Sequence, residues 1–294
     1  IYTQVNSSAA SDVYKRQAQA RATAALRGVG IEAEVRVSES PEHLRALVAG
    51  AAAAGVDGVI AIGGDGTVSM VADALLAGDP AEPPLLGILP AGSGCDFIRT
   101  FGIPQDLEGA ARHLTGERTY LADAAVVEGA FGRRHFVNAA DLGVLGAAVK
   151  RAEGLTRRLG NARYLAAFWL VLPGFRRTRV RIVTERRTFE DEALAVVLAN
   201  GQFFGSNLNI APKATLVDGV LDVQVFSCSR LQAVPIVRKA RRGLHLRHPA
   251  VTRFSAAQIE ITTRRPWPIE VDGDYLGETP VRVRVLPGAL RIKI

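Results

Sequence analysis

Cysteine is scarce in this 294-residue sequence, and the two that occur, Cys95 and Cys228, lie far apart. Their spacing supports neither a disulfide framework nor a zinc site, so we expect reduced thiols in a cytoplasmic protein. The five histidines show no metal-binding spacing with acids or thiols. Long hydrophobic runs are also missing, since the apolar stretch at 164–175 is well below the roughly 20 residues that a membrane-spanning helix needs. These absences exclude disulfide-stapled, zinc-binding and membrane-spanning classes.

Apolar residues and positive charge are plentiful instead. Hydrophobic residues make up 48% of the chain and charged residues 22%, which is enough for two cored domains and shows no signature of disorder. The formal net charge of +7 and the pI of about 9.8 favour anionic partners, namely nucleotides, nucleic acid or acidic lipid headgroups. The charge alone does not choose among these three.

The order of local patterns divides the chain in two. Residues 18–122 alternate helical and buried-strand patterns, which predicts an open parallel α/β domain. From 123 to 294, short runs of period two with Asp-Gly turn signals predict a largely antiparallel β domain, interrupted by a helical insert at about 144–173. Residues 1–17 show no clear period, and we expect a non-native or disordered segment there.

A glycine-rich turn, GGDGT at 63–67, joins a predicted strand to a predicted helix. Glycines lack a Cβ atom, so the backbone can adopt positive φ values and its N–H groups can approach a phosphate, which the helix dipole also favours. Asp65 would repel a phosphate unless Mg²⁺ or a proton transfer involves it. A plain structural turn explains the same residues about equally well, because Gly-Gly and Asp-Gly are common turn dipeptides.

A second loop of this kind follows the next predicted strand. The stretch at 88–104, ILPAGSGCDFIRTFGIP, offers small residues, the hydroxyl of Ser93 and the carboxylate of Asp96. Ligands of open parallel sheets bind outside the carboxyl ends of the strands. Two neighbouring glycine-bearing loops, each with an acid, therefore predict a nucleotide and metal site.

With these loops the sequence resembles the diacylglycerol kinase catalytic-domain family, which includes bacterial lipid kinases and the sphingosine kinases. Further matching stretches occur in family order at 136–149, 198–226 and 271–294, so the likeness covers nearly everything after residue 18. The resemblance implies an α/β nucleotide domain and a C-terminal β-sandwich, with ATP and substrate in the cleft between them. It also implies transfer of the γ-phosphoryl group of ATP to the hydroxyl of diacylglycerol or a similar lipid.

The resemblance further implies residue roles at matching positions. The implied ATP-binding residues are Ser38, Gly63, Gly64, Asp65, Gly66, Thr67, Val68, Ser69, Gly92 and Ser93. A structural Mg²⁺ site is implied at Asp218, helped by backbone carbonyls near Thr215 and Val220. Asn138 and Asn200 also match family motifs, and the alternative for both is a turn-capping amide.

The acids complete this assignment. Asp96 would belong to an acidic network linking the two domains. The family's Asp-Gly-Glu reads Asp272-Gly273-Asp274 here, which makes Asp274 the expected base, with Asp65 handling catalytic Mg²⁺ or sharing the base role. The family also opens with a strand and an Asn-Pro-x-Ser-Gly loop, which would fall within residues 1–17.

Partners and alternatives follow from these features. Arginine clusters at 174–187 and 237–249 indicate either attraction to an anionic membrane surface or a face exposed to solvent. Apolar residues at 168–175 indicate either an acyl-chain groove or part of the core. We expect a cytoplasmic kinase with peripheral contact to the inner face of the membrane and no nucleic-acid partner. The sequence does not decide whether the protein forms a homodimer. Two alternatives remain: an NAD kinase, which shares the glycine turn, and a non-catalytic nucleotide- or lipid-binding homologue, suggested by Cys95 and Asp274.

Overall fold

The structure is a computed structural model that describes residues 2–5, 12–78, 80–91, 96–156, 159–160, 162–205 and 208–294. The chain divides into two compact units. Unit 1 contains residues 1–122 and 288–294, and unit 2 contains residues 123–287. The boundary after residue 122 falls where the apolar pattern of the sequence changes its period. Residues 288–294 belong to unit 1, whereas the sequence pattern placed them in the β domain.

Unit 1 is a parallel sheet with helices between its strands. Its elements in chain order are β1 (Tyr2–Val5), α1 (Asp12–Gly28), β2 (Val35–Ser38), α2 (Pro41–Ala53), β3 (Val59–Gly63), α3 (Asp65–Ala77), β4 (Leu85–Pro90), α4 (Asp96–Arg99) and α5 (Leu107–Leu114). The strands lie in the order β2-β1-β3-β4 and are parallel, and residues 291–292 near the end of the chain pair with β4. The predicted open parallel α/β architecture is confirmed.

Strand β1 lies in the segment for which we expected no native structure. It pairs with β2 on one side and β3 on the other, and α1 begins at Asp12 rather than near residue 18. Four residues are too few to show a period, whereas in the sheet two neighbouring strands satisfy their backbone donors and acceptors. Residues 6–11, where the resemblance leads us to expect a phosphate-side loop, lie outside the described residues.

Parallel pairing brings the strand ends of unit 1 to one edge. Gly63 at the end of β3 is the register partner of Pro90 at the end of β4, and Ser38 ends β2 next to Val5. Helix starts follow local signals, as at α2, where the Ser40 hydroxyl accepts a backbone N–H at 3.1 Å and a proline opens the helix. The polar residues that follow the strands are thereby gathered at the edge where ligands of such sheets bind.

Unit 2 is a sandwich of antiparallel sheets with helices on one outer face. Its elements in chain order are β5 (Thr119–Gly129), which begins in unit 1, β6 (Gly132–Phe136), β7 (Ala139–Gly143), α6 (Val144–Glu153), α7 (Ala162–Val171), β8 (Thr178–Thr184), β9 (Thr188–Ala193), β10 (Ala195–Ala199), β11 (Phe203–Phe204), β12 (Leu208–Asn209), β13 (Leu221–Phe226), α8 (Arg230–Ala240), a 3₁₀ helix (Leu244–Arg247), β14 (Val251–Ala256), β15 (Gln258–Thr263), β16 (Pro268–Val271), β17 (Asp274–Glu278) and β18 (Val281–Lys293), which ends in unit 1.

One sheet of unit 2 has six strands in the order β14-β13-β10-β7-β16-β17. In the other sheet β18, β15, β8 and β9 are antiparallel neighbours. Inward-facing residues of both sheets form one buried core, for example Leu142 and Val196 from the first and Ile182 and Ile261 from the second. This confirms the expected β-sandwich. Because side chains alternate along a strand, Asp141 lies on the opposite face, which the helices cover.

Helices α6 and α7 confirm the predicted helical insert. Helix α8 was not predicted as a separate element, because its residues were interpreted only as part of a basic cluster. It begins with a capping box between Ser229 and Gln232, and Pro235 inside it obscures the helical pattern. Within the described residues, no helix combines the length and the apolar character needed to cross a membrane.

Candidate functional site

The glycine turn of unit 1 lies between the end of β3 and the start of α3. Gly64 is the N-cap residue, and its carbonyl accepts the N–H of Thr67 at 2.9 Å. The carbonyl of Gly63 accepts the N–H of Ala91 at 3.0 Å, which ties the end of β3 to the residue after β4. Backbone N–H groups of the first helical turn point out of the helix end, where they and the dipole favour an anion such as a phosphate.

The glycines of this turn provide space rather than unusual backbone angles. Glycine allows positive φ values, but none of Gly63, Gly64 and Gly66 has one. A Cβ atom on Gly63 would lie 2.2 Å from the Oγ1 atom of Thr67, whose side chain is buried. A Cβ atom on Gly66 would meet nothing within 4 Å. Glycine at 63 is therefore what allows α3 to begin directly against the strand end.

Asp65 connects the glycine turn to the second predicted loop. Its Oδ2 atom accepts the N–H of Asp96 and its Oδ1 atom accepts the N–H of Phe97, both at 3.0 Å. These are the first residues of α4, where negative charge is favoured. Asp96 itself is buried, with its carboxylate 3.9 Å from the Nε atom of Arg99. The structure thus brings the two acids of the predicted nucleotide loops into contact.

Some of the other predicted nucleotide-binding residues of unit 1 are buried, and others lie outside the described residues. Ser38 is buried at the end of β2, and Val68 is part of the core of α3. Ser69 is also buried in α3, and its hydroxyl has no hydrogen-bond partner among the described residues. Gly92 and Ser93 lie outside the described residues.

In unit 2 the turn between β16 and β17 carries two of the predicted acids. Asp272 adopts a φ of 48°, followed by Gly273 at 94°, a pair of positive values that is typical of tight hairpin turns. The carboxylate of Asp272 accepts the N–H groups of Val137, Asn138 and Ala139 at 3.1, 3.1 and 2.9 Å. Asp272 therefore anchors the turn to the segment that leads into β7.

Asp274 is the more accessible acid of this turn. Its side chain is 51% exposed, and its Oδ2 atom accepts an Nη2–H of Arg134 at 3.1 Å. The side chain of Arg134 is only 9% exposed, so its guanidinium is held in place and orients the carboxylate. Arg134 is not predicted from the sequence, because the two residues lie 140 positions apart and only the fold brings them together.

Two more carboxylates, which the sequence motifs do not predict, lie beside this turn. Asp141 on β7 and Glu270 on β16 are register partners on adjacent antiparallel strands, and both are buried. Burial raises the pKa of Asp141 to about 7, and burial together with the Asp141 charge raises the pKa of Glu270 well above its ordinary value. Glu270 Oε2 also accepts the N–H of Gly273 at 2.8 Å. One sequence signal could have revealed these two acids, since each stands between apolar residues within a strand pattern.

Asn138 and Asn200 bind backbone groups of unit 2. The Nδ2 group of Asn138 donates to the carbonyl of Phe203 at 2.8 Å. The Nδ2 group of Asn200 donates to the carbonyls of Asp123 and Val137 at 2.9 and 2.7 Å. Both amides hold loop and strand ends together, which corresponds to the turn-capping alternative for these residues.

The predicted magnesium residues lie in one loop of unit 2. The exposed Asp218 accepts the N–H of Val220 at 3.2 Å, and Asp123 accepts the N–H of Gly219 at 2.7 Å. Across the described part of the chain, no three His, Cys, Asp or Glu side chains are grouped so that they could hold a metal. The Mg²⁺ site at Asp218, with backbone carbonyls near Thr215 and Val220, stays a prediction.

Comparison with known proteins identifies the family. Residues 4–127 match the diacylglycerol kinase catalytic domain, and residues 138–294 match the YegS C-terminal NAD kinase beta sandwich-like domain. This chain belongs to the diacylglycerol kinase catalytic-domain family. The family membership inferred from the sequence motifs is thus confirmed, and the glycine turn lies in the first matched domain while the Asp272 turn lies in the second.

Relatives of this diacylglycerol kinase family chain include curated proteins and solved structures. It is 30% and 29% identical to proteins named "Probable lipid kinase YegS-like" from Klebsiella pneumoniae (strain 342) and Enterobacter sp. (strain 638), over 271 residues that make up 92% of this chain and 88% of each relative. A crystal structure described as a diacylglycerol kinase from Bacillus anthracis str. Sterne is similar in fold, with a TM-score of 0.71, 22% identity, and coverage of 99% of this chain and 95% of that one. At that identity the likeness shows the fold alone.

Proposed function

We propose that this protein is a lipid kinase that transfers the γ-phosphoryl group of ATP to the hydroxyl of diacylglycerol or a similar lipid. The observation that carries the proposal is the glycine turn at 63–67, which opens α3 at the carboxyl edge of a parallel sheet in a chain of this family. The names of the curated relatives support a lipid as the acceptor. A cytoplasmic location and a homodimer stay predictions.

The phosphates of ATP are proposed to bind at the start of α3. Backbone N–H groups and the helix dipole supply the attraction, and the missing Cβ of Gly63 lets the helix end lie close to the strand. Asp65 fixes the second loop through its two backbone contacts. A carboxylate is a ligand that Mg²⁺ prefers, and Asp65 is our proposed residue for the catalytic Mg²⁺. Ser38 and Ser93 complete the proposed set.

Asp274 is proposed to take the proton from the acceptor hydroxyl. Phosphoryl transfer asks little covalent chemistry of a protein beyond positioning, charge neutralisation and an oriented base. Asp274 meets the last requirement, since Arg134 orients it and half of its side chain is exposed. When bound, Mg²⁺ neutralises charge on the phosphoryl oxygens. Asp218, with carbonyls near Thr215 and Val220, is the proposed site of a structural Mg²⁺.

The lipid side of the proposal rests on an exposed apolar surface of unit 2. Leu165, Trp169 and Leu170 of α7 are exposed, and Leu170 is 60% accessible. Leu231 and Val234 of α8 are exposed as well, and Leu231 is 86% accessible. Exposed apolar clusters of this kind are uncommon on proteins that contact only water, and they indicate an interaction surface. We call these five side chains the α7–α8 surface.

Contacts and charge support a membrane as the partner of the α7–α8 surface. The guanidinium of Arg230 donates to the carbonyl of Pro173, which brings the start of α8 next to the end of α7. Exposed cationic residues follow α7 and lie within or just after α8 in the sequence, namely Arg176, Arg230, Arg238, Lys239, Arg241 and Arg242. Cations together with exposed leucine and tryptophan are typical of helices that bind an anionic bilayer surface. Phe168 and Phe175, considered above for an acyl-chain groove, instead pack into the core.

A kinase assay with two acceptors tests the proposed reaction. The purified protein is incubated with labelled ATP, Mg²⁺ and either dispersed diacylglycerol or NAD⁺. We expect label in phosphatidate. Label in NADP⁺ would instead support the NAD kinase alternative, which the name of the C-terminal domain makes worth including. ATP binding without transfer to either acceptor would support a non-catalytic homologue.

Variants of the β17 acids sharpen this assay. Asp274→Asn is expected to lower kcat by about 10² to 10⁴, the usual contribution of an oriented base, with unchanged affinity for ATP. Glu278→Gln is the matched control, because Glu278 is an exposed acid on the same strand. Equal loss of kcat in both variants would rule out a specific role for Asp274.

Vesicle sedimentation tests the membrane surface. Binding is measured with phosphatidylcholine vesicles with and without phosphatidylglycerol, at low and high salt. We expect binding that requires the anionic lipid, weakens with salt, and is lost in the double variant Leu170→Ser with Leu231→Ser. Leu121→Ser, at an exposed leucine of unit 1, is the control. Binding that is insensitive to salt and to the double variant would contradict the assignment.

A further inference from the structure

The buried acids Asp141 and Glu270 have no evident place in the proposed reaction. They are register partners on β7 and β16, and side chains in such positions have Cβ atoms about 4.5–5.5 Å apart. Both residues are almost fully buried on the helix-covered face of the six-stranded sheet. Two ionised carboxylates in that position would repel each other without water to screen them.

Hydrogen-bond geometry indicates how this repulsion is avoided. Neither carboxylate oxygen of Asp141 has a hydrogen-bond partner among the described residues when both acids are treated as acceptors. A buried acceptor without a donor is costly, and a proton on the facing carboxyl would supply the missing donor. Glu270 Oε2 already accepts the N–H of Gly273 at 2.8 Å, which leaves Oε1 to carry that proton.

The surrounding charges favour retention of the proton. On the strands beside the pair, β10 places Val197 opposite Asp141, and β17 places Tyr275 opposite Glu270. On helix α6 the ammonium of Lys150 donates to the Tyr275 hydroxyl at 3.0 Å. This cation acts in the opposite direction, but Lys150 is exposed, so water and salt screen its charge. Asp272 in the adjacent turn is negative and acts on both acids, so it raises their pKa values further, after the larger effect of burial.

We propose that the protonated carboxyl group of Glu270 donates a hydrogen bond to the carboxylate of Asp141, and that this pair is a positioning device that holds the turn at 271–274 and thereby Asp274. Glu270 is the link, because one of its oxygens binds the turn at Gly273 while the other binds β7 through Asp141. Loss of the proton places two negative charges across the β7–β16 pairing and loosens the turn. The positioning role rests on the proposed function, whereas the shared proton does not.

Stability as a function of pH tests the proton without any assay of activity. Urea unfolding of the wild type, Glu270→Gln and Glu278→Gln is followed by tryptophan fluorescence from about pH 5 to 9; both tryptophans, Trp169 and Trp267, lie in unit 2. An acid whose pKa is raised on folding takes up a proton, so stability falls as pH rises toward the folded pKa, which burial raises well above the ordinary value for Glu270. Relative to Glu270→Gln, whose amide donates without a titratable proton, the wild type should lose about tenfold in its folding equilibrium constant per pH unit for each proton.

The control and the activity profile separate the two parts of the inference. Glu278→Gln should parallel the wild type, and parallel curves for Glu270→Gln as well would overturn the shared proton. In the kinase assay, Glu270→Gln should move the alkaline limb of kcat to higher pH, whereas Glu270→Ala, which loses both contacts, should lower kcat at every pH. An unmoved alkaline limb would overturn the positioning role. A positive stability result in a protein that phosphorylates no lipid would leave the pair intact and refute the proposed function alone.

Discussion

Replacing Asp272 by asparagine should destabilise unit 2 out of proportion to the size of the change. The carboxylate accepts three backbone N–H groups, two on Oδ1 and one on Oδ2. Hydrogen bonds to a charged group contribute about 1.5–3 kcal/mol each, and asparagine keeps only one acceptor oxygen. It also turns an amide donor toward the N–H of Val137. Asparagine tolerates the φ of 48°, so the backbone adds little further cost. We expect a loss of about 2–3 kcal/mol.

Urea unfolding followed by the fluorescence of the two tryptophans measures this loss. With an unfolding slope of about 1–3 kcal/mol/M, the midpoint should move down by about 1 M. Glu260→Gln is the control, because Glu260 is half-exposed and its ion pair with Arg282 spans 3.7 Å, a geometry that contributes less than about 1 kcal/mol. If Asp272→Asn shifted the midpoint no more than this control, the three backbone contacts would not anchor the turn.

Three further predictions concern both units. Gly63→Ala should displace α3, because its Cβ atom would lie 2.2 Å from Thr67 Oγ1. It should therefore weaken ATP binding at least tenfold in a binding titration. Gly66→Ala is the control and should leave ATP binding unchanged, because a Cβ atom there meets nothing within 4 Å. Asp65→Asn should lower kcat at least about 10²-fold with an unchanged circular dichroism spectrum, because it weakens the acceptor for the two N–H groups of α4; full activity would count against this role. Burial lowers the pKa of His245 to about 4 from its ordinary 6.5. The free energy of unfolding of the wild type should therefore fall by up to about 3 kcal/mol as pH falls across that interval. His245→Gln should not show this part of the loss when unfolding is measured across the same pH range.

The parts of the fold that sequence could predict are those with local signals. Apolar strands of period two, helices of period 3.6 and glycine turns each depend on neighbouring residues, and they were enough for both architectures and for the turn at 63–67. Strand β1 was missed because four residues show no period, and α8 because Pro235 obscures its pattern. Residues 288–294 were placed in the wrong unit because their period-two pattern does not show which sheet they join.

Local sequence signals predict some residues of the candidate site but not the contacts that these residues make. Asp272 and Asp274 stand out in the sequence because an Asp-Gly turn is a local signal, but what each acid contacts depends on strand register. Arg134 reaches Asp274 only because β6 and β17 belong to the same folded unit. Asp141 and Glu270 lie opposite each other because β7 pairs with β16 in this register, which no local pattern specifies.

The contacts of the acids around the turn of unit 2 also support our choice of Asp274, and not its neighbours, as the proposed acceptor of the substrate proton. Asp272 has its oxygens engaged by three backbone N–H groups, and Asp141 and Glu270 are buried and, in our proposal, share a proton. Asp274 pairs with the cation of Arg134, and its side chain is half exposed. Each of the other three acids is stabilised in a way that removes it from exchange with a bound hydroxyl. The geometry therefore supports our proposal that Asp274 is the acid that takes the proton from the acceptor hydroxyl.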